Sequence, residues 1–477
     1  MGQEIDSTHF TEENFARFHQ YLQAETQALI ELIDNQQCST CGPVAGFELE
    51  AWLLTPSMTP AAQNTEFLTR LNNPLACLEL AKFNIELNNH PQPLTGNIFS
   101  QMQHELEQTW NQANNIASTM KLKLAMMGIL PTLQPSDLNL GNMSDQNRYR
   151  ALNEQILAQR GKPIHMDIVG RQHLSFDHHD VMLESAATSF QLHLQVPLHR
   201  AVQTYNASIL ASAPLVAVSA NSPYLFAADL WAETRIPLFE QSIDVGGYNG
   251  ARHGPLHRVS FGSGYARHSI AECFQENLHH FPALLPILFD SDRHQFEHLR
   301  LHNGTIWRWN RPLLGFDDDS TPHIRIEQRV VPAGPSIIDT IANAVFFYGL
   351  TEALSQELDR SLPALAFAQA RDNFYQVARH GLSTHIIWLD GKKTRIRTLL
   401  LEQLIPQARQ GLKNLSISIT DADFYLNVIQ QRVTTGITGA EWQRRYIARH
   451  GDNFSGLTRA YLDHQNRAHP VHEWTLN

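Results

Sequence analysis

Four short segments of this chain alternate apolar side chains with charged or amide ones, and they restrict what the rest can be. In Gly46-Phe-Glu-Leu-Glu-Ala-Trp-Leu-Leu54, Glu48 and Glu50 share one face of a strand, while Phe47, Leu49 and Ala51 take the other, because successive strand side chains point to opposite sides. Phe83–Asn88 likewise gathers Asn84, Glu86 and Asn88. Phe190–Val196 gathers Gln191, His193 and Gln195, and Ile324–Val330 gathers Arg325, Glu327 and Arg329. A single strand of this kind reads as half of an ordinary antiparallel sheet with one face in water. The set of four reads differently. Its polar positions hold carboxylates, amides, His and Arg, with hardly any Lys, Ser or Thr. Two carboxylates two residues apart repel each other unless a cation lies between them.

A hard divalent cation such as Mg²⁺ takes oxygen ligands. Glu48, Glu50, Glu86 and Glu327 can supply them, with His193 or Gln191 alongside. The last strand interleaves Arg with Glu, which suits a site that holds phosphate and metal together. That is the composition of phosphoryl-transfer chemistry, where charge neutralisation and positioning carry most of the work.

The chain has 477 residues and a net charge of −11, with 43% hydrophobic and 17% charged residues. These are the proportions of a globular protein. The acidic balance argues against a sequence-independent nucleic-acid binder, which needs a basic face. The polar start, Met1–Ser7, and the four sparse cysteines suggest a reducing cytoplasm without a signal peptide. The longest mostly apolar run, Ala207–Ala220, is too short to span a bilayer. Helical patterns cover Thr11–Asn35, Ser100–Met127, Arg148–Gln159, Ser336–Leu358, Arg397–Gly411, Asp421–Gly436 and Gly439–His450. Strand patterns cover Val44–Leu54, Ala81–Leu87, Ala186–Val196, Leu215–Ala220, Gly304–Arg308 and Ile324–Val331. The two kinds do not alternate regularly, so a doubly wound parallel sheet is not expected. One α+β domain over 1–477 is expected, with a helical lead-in at 1–43 and a mostly helical flank at 397–477.

The ordered motifs are similar to those of the glutamate–cysteine ligase-like carboxylate–amine ligases. Gly46-Phe-Glu-Leu-Glu50 resembles that family's opening metal-binding strand. Phe83-Asn-Ile-Glu-Leu-Asn88, Gly128-Ile-Leu-Pro131, Arg148-Tyr149 and Thr188-Ser-Phe-Gln-Leu-His193 follow in family order. So do Ala220-Asn-Ser-Pro-Tyr224, Glu233-Thr-Arg235, Trp307-Arg-Trp-Asn-Arg-Pro312, Arg325-Ile-Glu-Gln-Arg329 and the segment from Asp372 to Gly381. The resemblance implies a glutamine synthetase-like fold, an antiparallel β-sheet funnel packed with helices. It implies an enzyme that joins a carboxylate such as glutamate to an amine such as cysteine, through an acyl phosphate made from ATP with Mg²⁺ or Mn²⁺, as in glutathione biosynthesis. It implies metal ligation by Glu48, Glu50, Glu86, Glu327 and His193, with Glu50 also catalytic. Gln191, His193, Arg311 and Arg325 become nucleotide contacts, and Arg235 and Arg329 become clamps for phosphate or substrate carboxylate. Small-molecule substrates are expected, with neither nucleic acid nor membrane as partner. Gln191 stands where some relatives carry a second His.

Other motifs support competing readings. Asp177-His-His-Asp180 has ligands for a transition metal in a hydrolase, or it is a loop before the central strand. A non-catalytic nucleotide binder on the same fold is a third reading. Cys38-Ser-Thr-Cys41 has no second CxxC to make a zinc ribbon. Gly262-Ser-Gly264 lacks the ending of a phosphate-binding loop. The basic run Gly391–Arg397 reads as a solvated loop and helix start.

Overall fold

The computed structural model describes residues 4–246, 257–358 and 362–476. Helix α1 (Glu12–Asp34) starts at Thr11, whose side chain accepts from Asn14 while Asn14 reaches back to the cap backbone. This reciprocal pairing satisfies two orphan donors. There follow β1 (Val44–Leu54), α2 (Asn64–Leu71), β2 (Ala76–Leu78), β3 (Asn84–Asn88), β4 (Gln92–Pro93), α3 (Ile98–Thr119), β5 (Lys123–Ala125) and α4 (Asn147–Arg160). A hairpin of β6 (Ile164–Val169) and β7 (His173–His178) precedes β8 (Phe190–Val196). Next come α5 (Ala201–Ser219), the short pair β9 (Tyr224–Leu225) and β10 (Ala228–Asp229), α6 (Arg235–Ser242), β11 (Val259–Ser260), α7 (Ala271–His280) and α8 (Glu297–Gly304). Then β12 (Trp307–Arg308), β13 (Asn310–Phe316), β14 (Pro322–Gln328), α9 (Ile337–Leu358) and α10 (Phe367–His380) follow. The short strands β15 (His385–Ile387) and β16 (Lys393–Arg395) lead to α11 (Ile396–Leu399), α12 (Ile405–Asn414), α13 (Ile419–Thr435), α14 (Gly439–His450) and α15 (Phe454–Gln465).

The main sheet runs β13-β14-β8-β1-β3-β2, with β4 and β5 also on β1, and every pairing is antiparallel. It curls into a half-barrel within a mixed fold, 50% helical and 17% strand. The sheet's two faces differ as the alternation requires. The outer face carries Phe47, Leu49, Ile85, Leu192, Leu194 and Ile326, all buried, and packs on α5 and α9. The Tyr348 hydroxyl on α9 lies 3.0 Å from the carbonyl oxygens of both Gly46 and His193, and so ties β1 to β8 from behind. Helix α9 in turn lies against α12, where Gly349 meets Gly411. A Cβ on either glycine would collide with the other helix's backbone, so the absence of side chains sets this close approach.

Most expected elements form, within a few residues. The segment Leu215–Ala220, expected as a strand, is instead the end of α5, nearly all of whose residues are buried. A segment apolar on every side has no periodicity to separate a buried helix from a buried strand. The expected strand Gly304–Arg308 shrinks to Trp307–Arg308, because α8 ends at Gly304. Helix α9 is long and apolar enough to cross a membrane, yet 89% of its most apolar window is buried inside the protein. Four cysteines are free: Cys38 and Cys273 are buried, and Cys41 is exposed.

Two buried polar networks brace the helices and lead to tests. Arg432 on α13 pairs with Asp339 at 2.7 Å and donates to Asn343 at 2.6 Å and to the Val218 carbonyl at 2.8 Å. Arg432→Met strands the Asp339 charge and should destabilise the fold by about 3–5 kcal/mol in urea unfolding. Glu240 on α6 accepts on one carboxyl oxygen from Trp309 at 2.8 Å and Tyr375 at 2.7 Å. Burial pushes its pKa up to about 7 from an ordinary 4.5, despite those two donors. The folded state thus binds this proton more tightly than the unfolded chain does. Its contribution to stability is full below about pH 4.5 and is lost as pH rises through about 7. Between pH 5 and 8 the wild type should lose more stability than Glu240→Gln, by on the order of 1 kcal/mol after discounting for solvent access, read from thermal melts across pH.

Candidate active site

The register of the half-barrel puts the polar positions of all four strands on its inner face. Glu50 sits opposite Glu86, Glu48 opposite Gln191, His193 opposite Glu327, Arg325 opposite Gln195, and Arg311 opposite Glu327. Glu48, Glu50, Glu86, Gln191, Arg311, Arg325 and Glu327 among them wall a cavity of about 300 Å³.

Donor atoms of Glu48, His193 and Glu327 all lie within 4.8 Å of one another. His193 Nε2 is 3.2 Å from Glu48 Oε1, yet neither ring nitrogen has a partner in hydrogen-bond geometry. Two carboxylates and an imidazole whose buried nitrogens lack such a partner fit a divalent cation. Glu327 is held from the side by Arg311, with contacts of 2.8 and 2.9 Å, and by Arg329 at 3.2 Å. Burial raises the Glu327 pKa, but Arg311 and Arg329 overcome it and pull the carboxyl down to about 2. Burial also opposes ionisation of Glu48, and nearby positive charge, His193 and Arg329 included, holds it well below the usual range. Both carboxylates therefore stand ionised and ready for a cation.

A second acidic group lies beside the first. Glu50 accepts from the Ser189 backbone and hydroxyl, each at 2.7 Å, and from Gln191 at 2.9 Å. Glu86 accepts from Asn88 at 2.9 Å and from the Cys77 thiol at 3.2 Å. Burial first, then the charge of Glu86, raises the Glu50 pKa against the Ser189 bonds. Glu79, just after β2, is pushed well up by burial and by Glu86, Glu50 and Glu184. Burial and Glu50 push Glu184 up to about 8, with Arg329 opposing. Carboxyls that raise one another's pKa in this way can share a cation or protons.

The arginines divide by role. Arg329 contacts Gln191 and Glu327 and faces the cavity. Arg325 also lines it, with its Nε buried and unbonded. Gln191 lines the cavity and ties Glu50 to Arg329. Arg235 departs from its expected clamping role. It is 2% exposed, pairs with Glu233 at 3.2 Å, and donates to the carbonyls of Val330 at 2.5 Å and Arg329 at 3.2 Å. Its Nε and Nη2 brace the strand end that carries Arg329, and it is not among the residues that line the cavity. Arg311 lines the cavity but is also largely committed, since Nη1 lies 3.3–3.4 Å from the carbonyls of Asn303, Gly304 and Ile306.

The sequence reading missed Glu79, Glu184 and Arg300 as cavity residues. Glu79 sits in Cys77-Leu-Glu-Leu-Ala81, whose own alternation was a usable signal. Glu184 sits on a turn, where no periodicity marks the side. The Asp177–Asp180 cluster does not converge on a metal: Asp177 bonds His165 at 2.7 Å on the exposed hairpin face, His178 bonds Asp180 at 2.8 Å, and His179 is exposed.

A search of curated protein sequences returned no match. Among solved structures, glutamate–cysteine ligase from Francisella tularensis, determined in complex with AMP, superposes with a TM-score of 0.54 at 12% identity. The match covers 91% of this chain and 90% of that one. A bifunctional glutathione synthetase from Pasteurella multocida gives 0.46 at 12% identity, over 91% of this chain and 54% of the other. The profile of glutamate-cysteine ligase family 2 matches residues 44–462, and the chain belongs to that family.

Proposed function

We propose that this protein is an ATP- and Mg²⁺-dependent carboxylate–amine ligase, with glutamate as the favoured donor and a γ-glutamyl amide as product. The observation that carries the reading is the inner face of the half-barrel, where Glu48, His193 and Glu327 converge beside Glu50, Glu79 and Glu86. The chemistry calls for such a wall. A carboxylate is a poor electrophile because its own charge repels a nucleophile. Transfer of the γ-phosphoryl group makes an acyl phosphate, and an amine then displaces phosphate.

Glu48, His193 and Glu327 would hold one cation, and Glu50, Glu79 and Glu86 a second, with Mn²⁺ acceptable to the same oxygen-rich set. Such cations neutralise the polyphosphate and the charge that develops on transfer. Arg329, fixed between Glu327 and Gln191, is placed to bind a transferring phosphoryl oxygen. Arg325 and the exposed Arg300 reach the same cavity near Leu299, Leu301, Leu313 and Leu314. That combination suits a nucleotide, with cations for phosphate and apolar walls for a purine. The family membership and the likeness to a ligase solved with AMP support this assignment. We assign the whole chain to one catalytic unit, and its free thiols suit a reducing compartment.

An ADP-release assay with Mg²⁺, glutamate and a panel of amines tests the proposal. ADP and amide should appear in equal amounts, and only when acid and amine are both present. Release without amine dependence, or with no pair at all, rejects the ligase reading. Glu48→Gln should lower kcat by about 100-fold or more. It should also reduce the rise in melting temperature that Mn²⁺ gives the wild type, with unchanged circular dichroism.

A further inference from the structure

Helix α8 supplies much of the apolar end of the cavity, yet it begins without a cap of its own. Glu297, Leu299, Arg300, Leu301, Asn303 and Gly304 all line the cavity. The residue at the N-cap position is Phe296, which is buried, stands at φ +53° and has no side-chain oxygen to offer the first turn. The opening amides of a helix then need acceptors from elsewhere.

Glu25 provides one from another helix. It sits on α1, outside the residues matched by the family profile. One carboxylate oxygen accepts from the Leu299 amide at 2.8 Å, and the other lies 2.5 Å from His298 Nδ1. Leu299 is the third residue of α8, a position that an N-cap side chain ordinarily reaches. His298 Nε2 accepts from the Phe289 amide at 3.2 Å. The ring proton is thereby assigned to Nδ1, which donates it to Glu25. Glu25 and His298 are each 1% exposed. Two donors and the positive end of α8 therefore stand in for the water that the carboxylate has lost. Tyr21, also on α1, stacks on His298 with ring centroids 4.7 Å apart.

The other end of α8 is tied to the site. The carbonyls of Asn303 and Gly304 accept from Arg311, and the Asn303 side chain donates to the Pro312 carbonyl at 3.0 Å. Between the two ends, the Arg300 guanidinium lies 5.6 Å over the Phe316 ring. A shift of α8 along its axis would displace Leu299, Arg300 and Leu301 together, and would loosen the acceptors that hold Arg311 on Glu327. We infer that Glu25 is a positioning residue for the nucleotide. It does not line the cavity, and it acts by holding α8 in the place from which these side chains meet the ligand. The inference rests on the ligase reading above, in which this end of the cavity takes the nucleotide.

The test uses the full chain and the variants Glu25→Gln and Glu25→Ala. Glutamine keeps the volume and accepts from Leu299, but its amide group meets the His298 Nδ1–H donor to donor. Alanine loses both bonds. In calorimetric titration with a Mg²⁺-loaded, non-hydrolysable ATP analogue, Glu25→Ala should raise Kd by roughly 10-fold, and Glu25→Gln by less. KM for ATP should rise in the same order, while KM for glutamate moves less than about twofold. Circular dichroism and thermal melts report the fold, and Glu25→Gln carries the comparison if Glu25→Ala does not fold. A variant that melts earlier but keeps the wild-type nucleotide affinity overturns the proposal, because Glu25 then serves the fold alone. Equal rises in the ATP and glutamate KM overturn it too, as does a wild type that binds no nucleotide. Weakened nucleotide binding supports it even where no acid–amine pair releases ADP, the result that defeats the ligase reading alone.

Discussion

Arg311 grips Glu327 with two short contacts across neighbouring strands, and the rest of the inner face is arranged around that buried pair. A carboxylate on a strand inside a half-barrel has lost its water, and burial alone would protonate it. The bidentate guanidinium, with Arg329 beside it, reverses the balance and favours the anionic form of Glu327. Arg311 reaches carbonyls at the end of α8 with its remaining nitrogen, so the helix, the strand and the charge are set together. Removal of Glu327 would leave the Arg311 charge buried without its carboxylate, and removal of Arg311 would leave Glu327 with Arg329 alone.

The outer face supplies the rigidity that such a charged surface requires. A half-barrel lined with carboxylates is under internal repulsion, and its other side is buried against α5 and α9. The Tyr348 hydroxyl lies within reach of two adjacent strands at once, and Arg235 fixes the end of β14 by its carbonyl oxygens. Neither residue lines the cavity. Both act on geometry, which is where small displacements at a reacting centre become expensive.

The inner face was legible in the sequence because a strand's period of two converts a run of letters directly into a surface. Glu48, Glu50, Glu86, His193 and Glu327 share that surface because their spacing left no other arrangement once one face was apolar. Where the period fails, so does the reading. Segment 207–220 is apolar on all sides and carried no sign that it was a helix. Glu184 comes off a turn, whose facing depends on caps from Asp180 and Asn153 that lie outside any local pattern. Arg235 was assigned by its motif, but its direction is decided by Glu233 and by the carbonyls of a strand some 95 residues away.

The composition of the cavity wall has a consequence for traffic. Glu48, Glu50, Glu79, Glu86, Glu184, Glu297 and Glu327 line it, against the arginines at 148, 300, 311, 325 and 329. Glu50, Glu79 and Glu184 have raised pKa values, so part of this wall holds protons when no cation lies among them. A cation that enters such a group displaces protons as it binds. The wall thus trades one positive charge for another instead of standing as bare negative charge, and its hold on any cation rises with pH.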